Sequence, residues 1–307
     1  MFDLLIIGEI NPDLILRDAD IVPEFGQAEK LVEDARLTIG SSSAITACGA
    51  ARLGLSVAFI GLVGDDAFGQ FMLDAMQDRE IDTSACLVDQ QVPTGLSIIL
   101  SGPTDRAILT YPGTIPLLRA DQISESLLRQ ARHLHLGSYF LLDSLRPELA
   151  DVFSRARKQG MTTSLDTNWD PSGEWDVEAI LDYVDVFFPN ENEVRLIAGE
   201  EDFAAAMDLL AEKVPTLAVK LGAEGGLARQ GNVTVTAPII PVEVADTTGA
   251  GDSFNAGFLY GYLNQYTLGD SLALACACGS LSTRASGGTE AQPTLAEAKS
   301  VLGNGRD

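Results

Sequence analysis

Positive charge is scarce in this chain, and so are histidine and cysteine. Its 307 residues hold 20 Lys and Arg against 44 Asp and Glu, a formal net charge of −24. Phosphate backbones and anionic membranes are held by clustered Lys and Arg, so neither nucleic acid nor a membrane is expected as the main partner. A single nucleotide is not excluded, since a few backbone N–H groups and a metal ion suffice to hold one. The four cysteines, Cys48, Cys86, Cys276 and Cys278, lack metal-ligand spacing and read as buried free thiols of a reducing compartment. The two histidines, His133 and His135, alternate along one strand and share a face, which fits satisfied structural residues better than ligands. No apolar run approaches membrane-spanning length. The start, Met1-Phe2-Asp3-Leu4, has no basic leader stretch, so a cytoplasmic location is expected. Also missing are a G-x-G-x-x-G after the first strand and a Walker A lysine loop, which argues against a dehydrogenase.

Apolar residues are abundant, at 46% of the chain, ample for a full core at this length. Short strand-like runs at Leu4–Gly8, Val57–Val63, His133–Gly137, Thr163–Asp166, Val184–Phe188 and Leu217–Leu221 are separated by helical patterns. The helices read at Ser43–Leu53, Phe68–Arg79, Pro147–Gln159, Glu191–Ala198 and Phe203–Lys213. This rhythm predicts an α/β fold of three layers, a mainly parallel sheet covered by helices on both faces. Two segments break it. Residues 11–39 carry β-like pieces at Leu14–Leu16 and Arg36–Ile39, and 92–112 carry two more at Leu96–Leu100 and Ala107–Tyr111, joined by the turn Ser101-Gly102-Pro103-Thr104-Asp105. Together they predict a small β-lid projecting from a core of 1–10, 40–91 and 113–307. The tail after Leu302 reads as frayed.

The most informative run is Asp246-Thr247-Thr248-Gly249-Ala250-Gly251-Asp252-Ser253-Phe254. An apolar stripe at helical spacing follows, Phe254, Phe258, Leu259, Tyr262 and Leu263, so a loop becomes a helix here. Gly249 and Gly251 let the backbone present bare N–H groups at the helix start, where the macrodipole favours an anion. A phosphate is the natural guest. Asp252 repels that guest, unless its task is to take a proton from a hydroxyl attacking the phosphate. Helix capping by Asp246 or Asp252 is the plainer alternative.

Other constellations lie at predicted strand ends. Asn11 and Asp13, in Gly8-Glu9-Ile10-Asn11-Pro12-Asp13, offer an amide and a carboxylate to vicinal hydroxyls, or form a turn. Gly40 and Ser41 lead a serine-rich helix start suited to a polyol or to capping. Asn168 lies in Asp166-Thr167-Asn168-Trp169-Asp170, another candidate substrate contact; Trp169 and Trp175 read as packing residues. Asn190 and Glu193, one helical turn apart, suit either water-mediated Mg²⁺ binding or a capping box. Arg106 and Tyr111 read as solvated lid positions.

Taken in order, these motifs resemble the ribokinase family of carbohydrate kinases (PfkB type), over essentially the whole chain. They are G-x-x-N-x-D early, a glycine-led helix ending R-L-G, N-x-x-E, and D-T-T-G-A-G-D-S-F. The resemblance implies a ribokinase-like fold and transfer of the γ-phosphoryl group of ATP to a hydroxymethyl group of a sugar or nucleoside. It makes Asp252 the catalytic base and Gly249, Ala250 and Gly251 the anion hole. Asn190 and Glu193 would hold Mg²⁺ and phosphates through water, and Asn11, Asp13, Gly40 and Ser41 would face the sugar. Lys220, Gly222 and Gly225 fall where the family places nucleotide contacts. Asp246 and Thr248 match a monovalent-cation site of some members, which brings in K⁺.

The chain departs from the family pattern at several places. Ser41 and Ile45 stand where a second glycine and an Asn are frequent, and Lys220 where Thr is. Asp170 replaces an Arg common in sugar kinases of this group, which makes an anionic or phosphorylated sugar less welcome. The expected substrate is therefore a small neutral sugar, fructose- or ribose-like. A nucleoside, a 2-keto-3-deoxy sugar acid and a non-catalytic binding role are the alternatives. Residues 11–39 hold no aromatic beyond Phe25, which disfavours a nucleoside. An exposed lid edge invites pairing with a second copy, so a homodimer is expected.

Overall fold

A computed structural model describes residues 1–102 and 105–303. Pro103 and Thr104, in the expected turn, and the tail from Asn304 lie outside them. In chain order the first half contains β1 (Phe2–Ile7), β2 (Pro12–Arg17), β3 (Asp34–Ile39), α1 (Ser42–Leu53), β4 (Val57–Ile60), β5 (Leu62–Gly64) and α2 (Ala67–Gln77). There follow β6 (Leu87–Asp89), β7 (Leu96–Ser101), β8 (Arg106–Tyr111), α3 (Glu125–Leu128), β9 (Ala131–Leu136), α4 (Leu149–Lys158) and β10 (Thr162–Leu165). The last part holds α5 (Glu178–Leu181), β11 (Val186–Phe187), α6 (Glu191–Ala198), α7 (Phe203–Lys213), β12 (Thr216–Lys220), β13 (Gly226–Gln230) and β14 (Val233–Ala237). Three helices close the chain, α8 (Ala250–Leu263), α9 (Leu268–Ser282) and α10 (Leu295–Gly303).

The main sheet has eight strands in the order β14-β13-β12-β11-β10-β9-β1-β4. Every neighbour from β12 to β4 is parallel, and only β13 and β14 turn back as an antiparallel hairpin. β1 shows why the layers form. Its Leu4 and Ile6 enter the hydrophobic cluster that also contains α1, α8 and α9, while Leu5 and Ile7 enter the cluster with Phe153 and Leu181 beyond the other face. An unbroken apolar run is what a strand buried on both faces requires. α8 and α9 are apolar nearly all round, because each is packed on more than one side.

The lid is a separate four-stranded sheet, β3-β2-β7-β8. β2 pairs β7 in parallel, and the outer pairs are antiparallel. Alternation sorts its two faces: Asp13 and Ile15 are buried towards the core, whereas Leu37, Leu14, Ile98 and Leu109 form a row across the four strands on the outside.

Some boundaries differ from the sequence reading. The single strand expected at Val57–Val63 is broken at Gly61, where a Cβ would meet Gly8 O at 2.6 Å; beyond it the chain leaves the main sheet and pairs with β6. The helix expected from Pro147 starts as a 3₁₀ turn, Arg146–Glu148, before α4. The helix expected around Cys276 and Cys278 is α9, whereas the β13–β14 hairpin and α10 were unforeseen. Cys276 and Cys278 do face different ways on α9, and both are buried, since α9 has no solvent stripe wide enough to expose one.

Candidate active site

Several strand ends deliver polar side chains to one seam. β1 runs on into Glu9, β9 into Ser138, β10 into Asp166 and Asn168, and β12 ends in Lys220. α1 meets them with Ser42 and Ser43, and α8 with Asp252 and Asn255. In open α/β sheets ligands bind beyond the carboxyl ends of the strands.

Asp252 is on the first turn of α8 and is buried to 9% exposure. Its carboxylate accepts a hydrogen bond from Ser42 Oγ. Ser42 Oγ accepts in turn from Asn168 Nδ2 at 2.8 Å, and Asn168 Nδ2 also reaches Ser138 Oγ at 3.3 Å. Ser138 Oγ donates to Glu9 Oε1 at 2.8 Å, and Ser43 Oγ to Glu9 Oε2 at 2.7 Å. One continuous network therefore runs from the end of β1 to the start of α8. Burial pushes the Asp252 carboxyl up to about 7, and the Asp166 and Glu9 charges add to the push; the Ser42 hydrogen bond and the Lys220 ammonium oppose it. That is the range suited to a general base near neutral pH.

The loop before α8 is shaped by glycine. Gly249 adopts φ 72°, and a Cβ there would sit 2.7 Å from Gly288 Cα. The N–H of Ala250 is spent on Thr247 O at 3.3 Å, so Ala250 supplies no free donor as the motif implied. The N–H groups of Gly251 and Asp252 find no acceptor among the described residues, as the opening turn of a helix leaves them. A cavity of about 510 Å³ reaches Ala250 and Gly251 and is otherwise mostly apolar, with Val242, Phe254 and Cys276 in its wall. Lys220, Gly222 and Gly225, the expected nucleotide contacts, all line it. Its size is ordinary for a small-molecule pocket.

Lys220 lies between that cavity and the Asp252 network. Its Nζ donates to Asp166 Oδ2 at 2.6 Å, and its Cδ would lie 3.2 Å from a Cβ at Gly251. Burial opposes its charge, yet Asp166, Glu193 and Asp252 together hold the ammonium above its ordinary value. Asn255 Nδ2 gives Asp166 Oδ2 a second donor at 2.5 Å.

Asn190 and Glu193 form a complete capping box at the start of α6. Asn190 N and Nδ2 donate to Glu193 Oε2 and Oε1 at 2.9 and 2.7 Å, and Glu193 N donates back to Asn190 Oδ1 at 2.9 Å. Each Glu193 oxygen keeps capacity for one further donor. No group of three or more metal-binding side chains occurs among the described residues. Such a donor set fits Mg²⁺ carried on a nucleotide and touched through water, the habit of a cation that keeps its hydration.

On the lid side Asp13 is buried, and no hydrogen bond to its carboxylate forms among the described residues. Burial pushes it up to about 7, the Arg106 charge opposes this, and Glu9 and Asp246 reinforce it. A Cβ on Gly40 would fall 2.2 Å from Asp13 Oδ1, so only glycine leaves the carboxylate in place. Asn11 Nδ2 makes two long contacts of 3.3 Å, to Pro12 O and Ser97 Oγ. Ser41 Oγ is committed to structure: it accepts from Ala44 N at 3.0 Å as the α1 cap and donates to Glu9 O at 2.6 Å.

Asp246 is held by the N–H and Oγ1 of Thr248 on one oxygen and by the N–H of Gly287 on the other, at 2.8–3.0 Å. Arg106 is exposed, as expected of a solvated lid position, but it also donates to Thr248 Oγ1 at 2.6 Å; Tyr111 is exposed as expected. Asp170 is folded into its own turn, accepting from the N–H groups of Ser172 and Trp175, so its charge is not offered to a ligand. Trp175 is packed, but Trp169 is 65% exposed and touches only its edge, contrary to the packing role expected for both. His133 is bonded at both nitrogens; His135 Nε2 has no partner among the described residues, so the second histidine is less satisfied than its pattern suggested.

The family model for pfkB family carbohydrate kinases matches residues 1–295. The chain belongs to that family. This kinase is 33% identical over 220 residues to an uncharacterized sugar kinase of Archaeoglobus fulgidus, covering 70% of the chain and 86% of the relative. It is 30% identical over 310 residues to a ribokinase of Lactococcus lactis, covering 98% and 97%. Its fold matches a ribokinase of Arabidopsis thaliana, solved with ribose and ATP, at TM-score 0.84 with 23% identity over 98% of both chains. As a carbohydrate kinase it is a phosphotransferase with an alcohol acceptor. Ser42, which donates to Asp252, and Glu9, Asp166 and Asn255, which surround it, were not singled out in the sequence; three of the four lie inside motifs already noted.

Proposed function

We propose that this kinase passes the γ-phosphoryl group of ATP to a primary hydroxyl of a small neutral sugar, with Asp252 as the base. The observation that carries this reading is the position of Asp252. It is a buried carboxylate with proton affinity near 7, one residue beyond an unpaired N–H at the end of an apolar cavity. The sugar O–H gives its proton to Asp252 as its oxygen bonds to the γ-phosphorus; the bond from that phosphorus to the β-bridging oxygen breaks, and ADP leaves. The N–H groups of Gly251 and Asp252 and the Lys220 ammonium face the charge that builds up. Ser42 and Asn168 fix the base, and Asp13 and Asn11 orient sugar hydroxyls. When bound, Mg²⁺ neutralises phosphate charge, with Asn190 and Glu193 as its water-mediated holders.

A neutral sugar is favoured by the charges around the acceptor place. Asp13, Glu9 and Asp252 surround it, and an anionic sugar would meet like charge. Asp170 acts only by leaving out an arginine. The ribokinase name of the Lactococcus relative and the ribose in the Arabidopsis structure agree with a pentose. The outer lid row, with Leu37 and Leu109 at 41% and 58% exposure, supports a homodimer formed through the lid.

The test is a panel of neutral sugars, sugar acids and nucleosides with ATP and Mg²⁺, read by ADP release and by phosphorus NMR of the product. The expected result is transfer to a primary carbon of a ribose- or fructose-like sugar. Turnover confined to a sugar acid or a nucleoside would overturn the substrate class, and no turnover with any acceptor would favour a binding protein.

A further inference from the structure

Two arginines of the lid converge on one loop of the core. Arg17 closes β2, Arg106 opens β8, and both are in register with Ser101 at the end of β7. Residues opposite one another on adjacent strands share a face. The pair therefore flanks Ser101 on the side that also carries Asp13 and Ile15, the side turned to the core. Arg106 Nη1 donates to Thr248 Oγ1 at 2.6 Å and stands 3.7 Å from Asp246 Oδ1. Arg17 Nη2 donates to Ser286 Oγ at 3.1 Å, and Ser286 Oγ donates to Asp246 Oδ2 at 3.4 Å. Asp246 is thus the point on which both lid arginines bear.

The same carboxylate was expected to help hold a monovalent cation, and its surroundings do not fit one. An ionised carboxylate has about four acceptor positions. Here Thr248 N, Thr248 Oγ1, Gly287 N and Ser286 Oγ occupy them, all of them donors, and a guanidinium adds its own positive charge. A potassium ion needs oxygens free to face it, and it would be repelled by Arg106. Thr248 is also the residue before Gly249, whose left-handed turn sets out the unpaired N–H groups and Asp252.

We infer that Arg106 supplies the positive charge of this place in lieu of a metal ion, and that it is a positioning residue which holds the anion loop in its working form only while the lid is closed. Arg17 acts through Ser286 as a second strut. The consequence for turnover rests on the phosphoryl-transfer reading above; the contact between lid and loop does not. Partly exposed ion pairs contribute little to global stability, so the effect is local and is read locally.

Hydrogen–deuterium exchange on the full chain tests this in potassium, sodium and choline chloride, with wild type, Arg106→Met, Arg106→Lys and Arg17→Met. Wild-type amides in Ala107–Tyr111 and Thr248–Gly251 should exchange alike in all three salts. Arg106→Met should speed exchange several-fold in both segments, Arg106→Lys should restore part of the protection, and Arg17→Met should have the smaller effect. With an accepted sugar, wild-type turnover should ignore potassium. Arg106→Met should lose kcat by about tenfold with little change in KM for ATP, less than the roughly 10²–10³-fold cost of removing a donor that touches the transition state. Exchange in Thr248–Gly251 that ignores Arg106→Met, or wild-type protection that requires potassium, would overturn the inference. Absence of phosphoryl transfer in the wild type counts against the kinase chemistry alone, because the exchange result stands without it.

Discussion

The core sheet and the lid sheet use the same apolar residue types to opposite ends. In β1 the run Leu4-Leu5-Ile6-Ile7 is buried on both sides, and nothing polar interrupts it until the strand has ended. In β2 the run Pro12-Asp13-Leu14-Ile15-Leu16-Arg17 alternates, and its polar members face the core across the seam. The core keeps its chemistry at strand ends, on backbone fixed by packing from both faces. The lid carries its chemistry along the strands, on a sheet with one side uncovered. Catalytic geometry needs rigid support, which agrees with the proposed base standing in the first region and the proposed closure falling to the second. Breaking a core contact should cut the rate most, breaking a lid contact to the sugar should change binding, and breaking the Arg106 strut should cost the rate less than a core change does.

The largest effect tests the core. Asp252→Asn keeps the shape of the side chain and removes the proton acceptor, so kcat should fall by roughly 10²–10⁴-fold. ATP affinity, measured by calorimetry, should be retained or improved, because a carboxylate beside the phosphates has gone. Turnover near the wild-type level would remove Asp252 from the reaction. Loss of ATP binding with a lowered Tm would mean that the residue holds the helix start together instead.

A smaller effect sharpens the role of the network behind the base. Ser42→Ala deletes the hydrogen bond that opposes burial at Asp252, so the carboxyl should rise further above about 7. Hydrogen bonds to charged groups contribute about 1.5–3 kcal/mol, which converts to an upward shift of about one pKa unit or more. The base is active when deprotonated, so the rate of wild type should rise with pH through about 7, and that of the variant should rise later. At pH 7 the variant should be about tenfold slower and should regain much of the loss by pH 9. An unchanged pH profile with a uniformly low rate would show that Ser42 orients Asp252 without tuning it.

The sequence disclosed these two regions unequally. The helix start at Gly249–Asp252 was legible because glycine, helix onset and a carboxylate are all local signals. So was the parallel core, from continuous apolar runs of the right length. Glu191–Ala198 and Phe203–Lys213 were located to the residue, since each has an Asn or Asp cap and a clear apolar face. α9 was legible only around its two cysteines, because burial on several sides erases the periodicity by which the ends of a helix are recognised. The ties to Asp252 escaped for another reason: Ser42 and Asp252 are 210 residues apart, and no local pattern pairs them. The family resemblance points to Ser41 and not to Ser42, and only the fold shows that the Ser41 hydroxyl is spent on the α1 cap. Arg106 is exposed, as its pattern suggests, but its bond to Thr248 has no local signal, because the strand register that sets Arg106 and Arg17 on either side of Ser101 is a product of pairing and not of composition.

The smallest effect concerns stability, and it separates the lid carboxylate from the base. Asp13 has its carboxyl raised from 3.8 to about 7 by burial, with no hydrogen bond in compensation among the described residues. A group whose folded pKa exceeds its unfolded value favours the fold fully below the unfolded value and loses that contribution as pH rises through the folded one. The charged form of Asp13 therefore weakens the fold at pH 8 and does not at pH 4. Asp13→Asn should raise stability at pH 8 by about 1–3 kcal/mol, under the ceiling of ~4 set by 1.36 kcal/mol per unit, and should have little effect at pH 4. For a chain of this size that is a Tm gain of a few degrees. KM for the sugar should rise while KM for ATP stays, since Asp13 is the proposed sugar contact and does not line the cavity beside Gly251. A Tm that falls at pH 8 would mean that the carboxylate has a partner it needs, and that Asp13 belongs to the structural core and not to the lid's binding face.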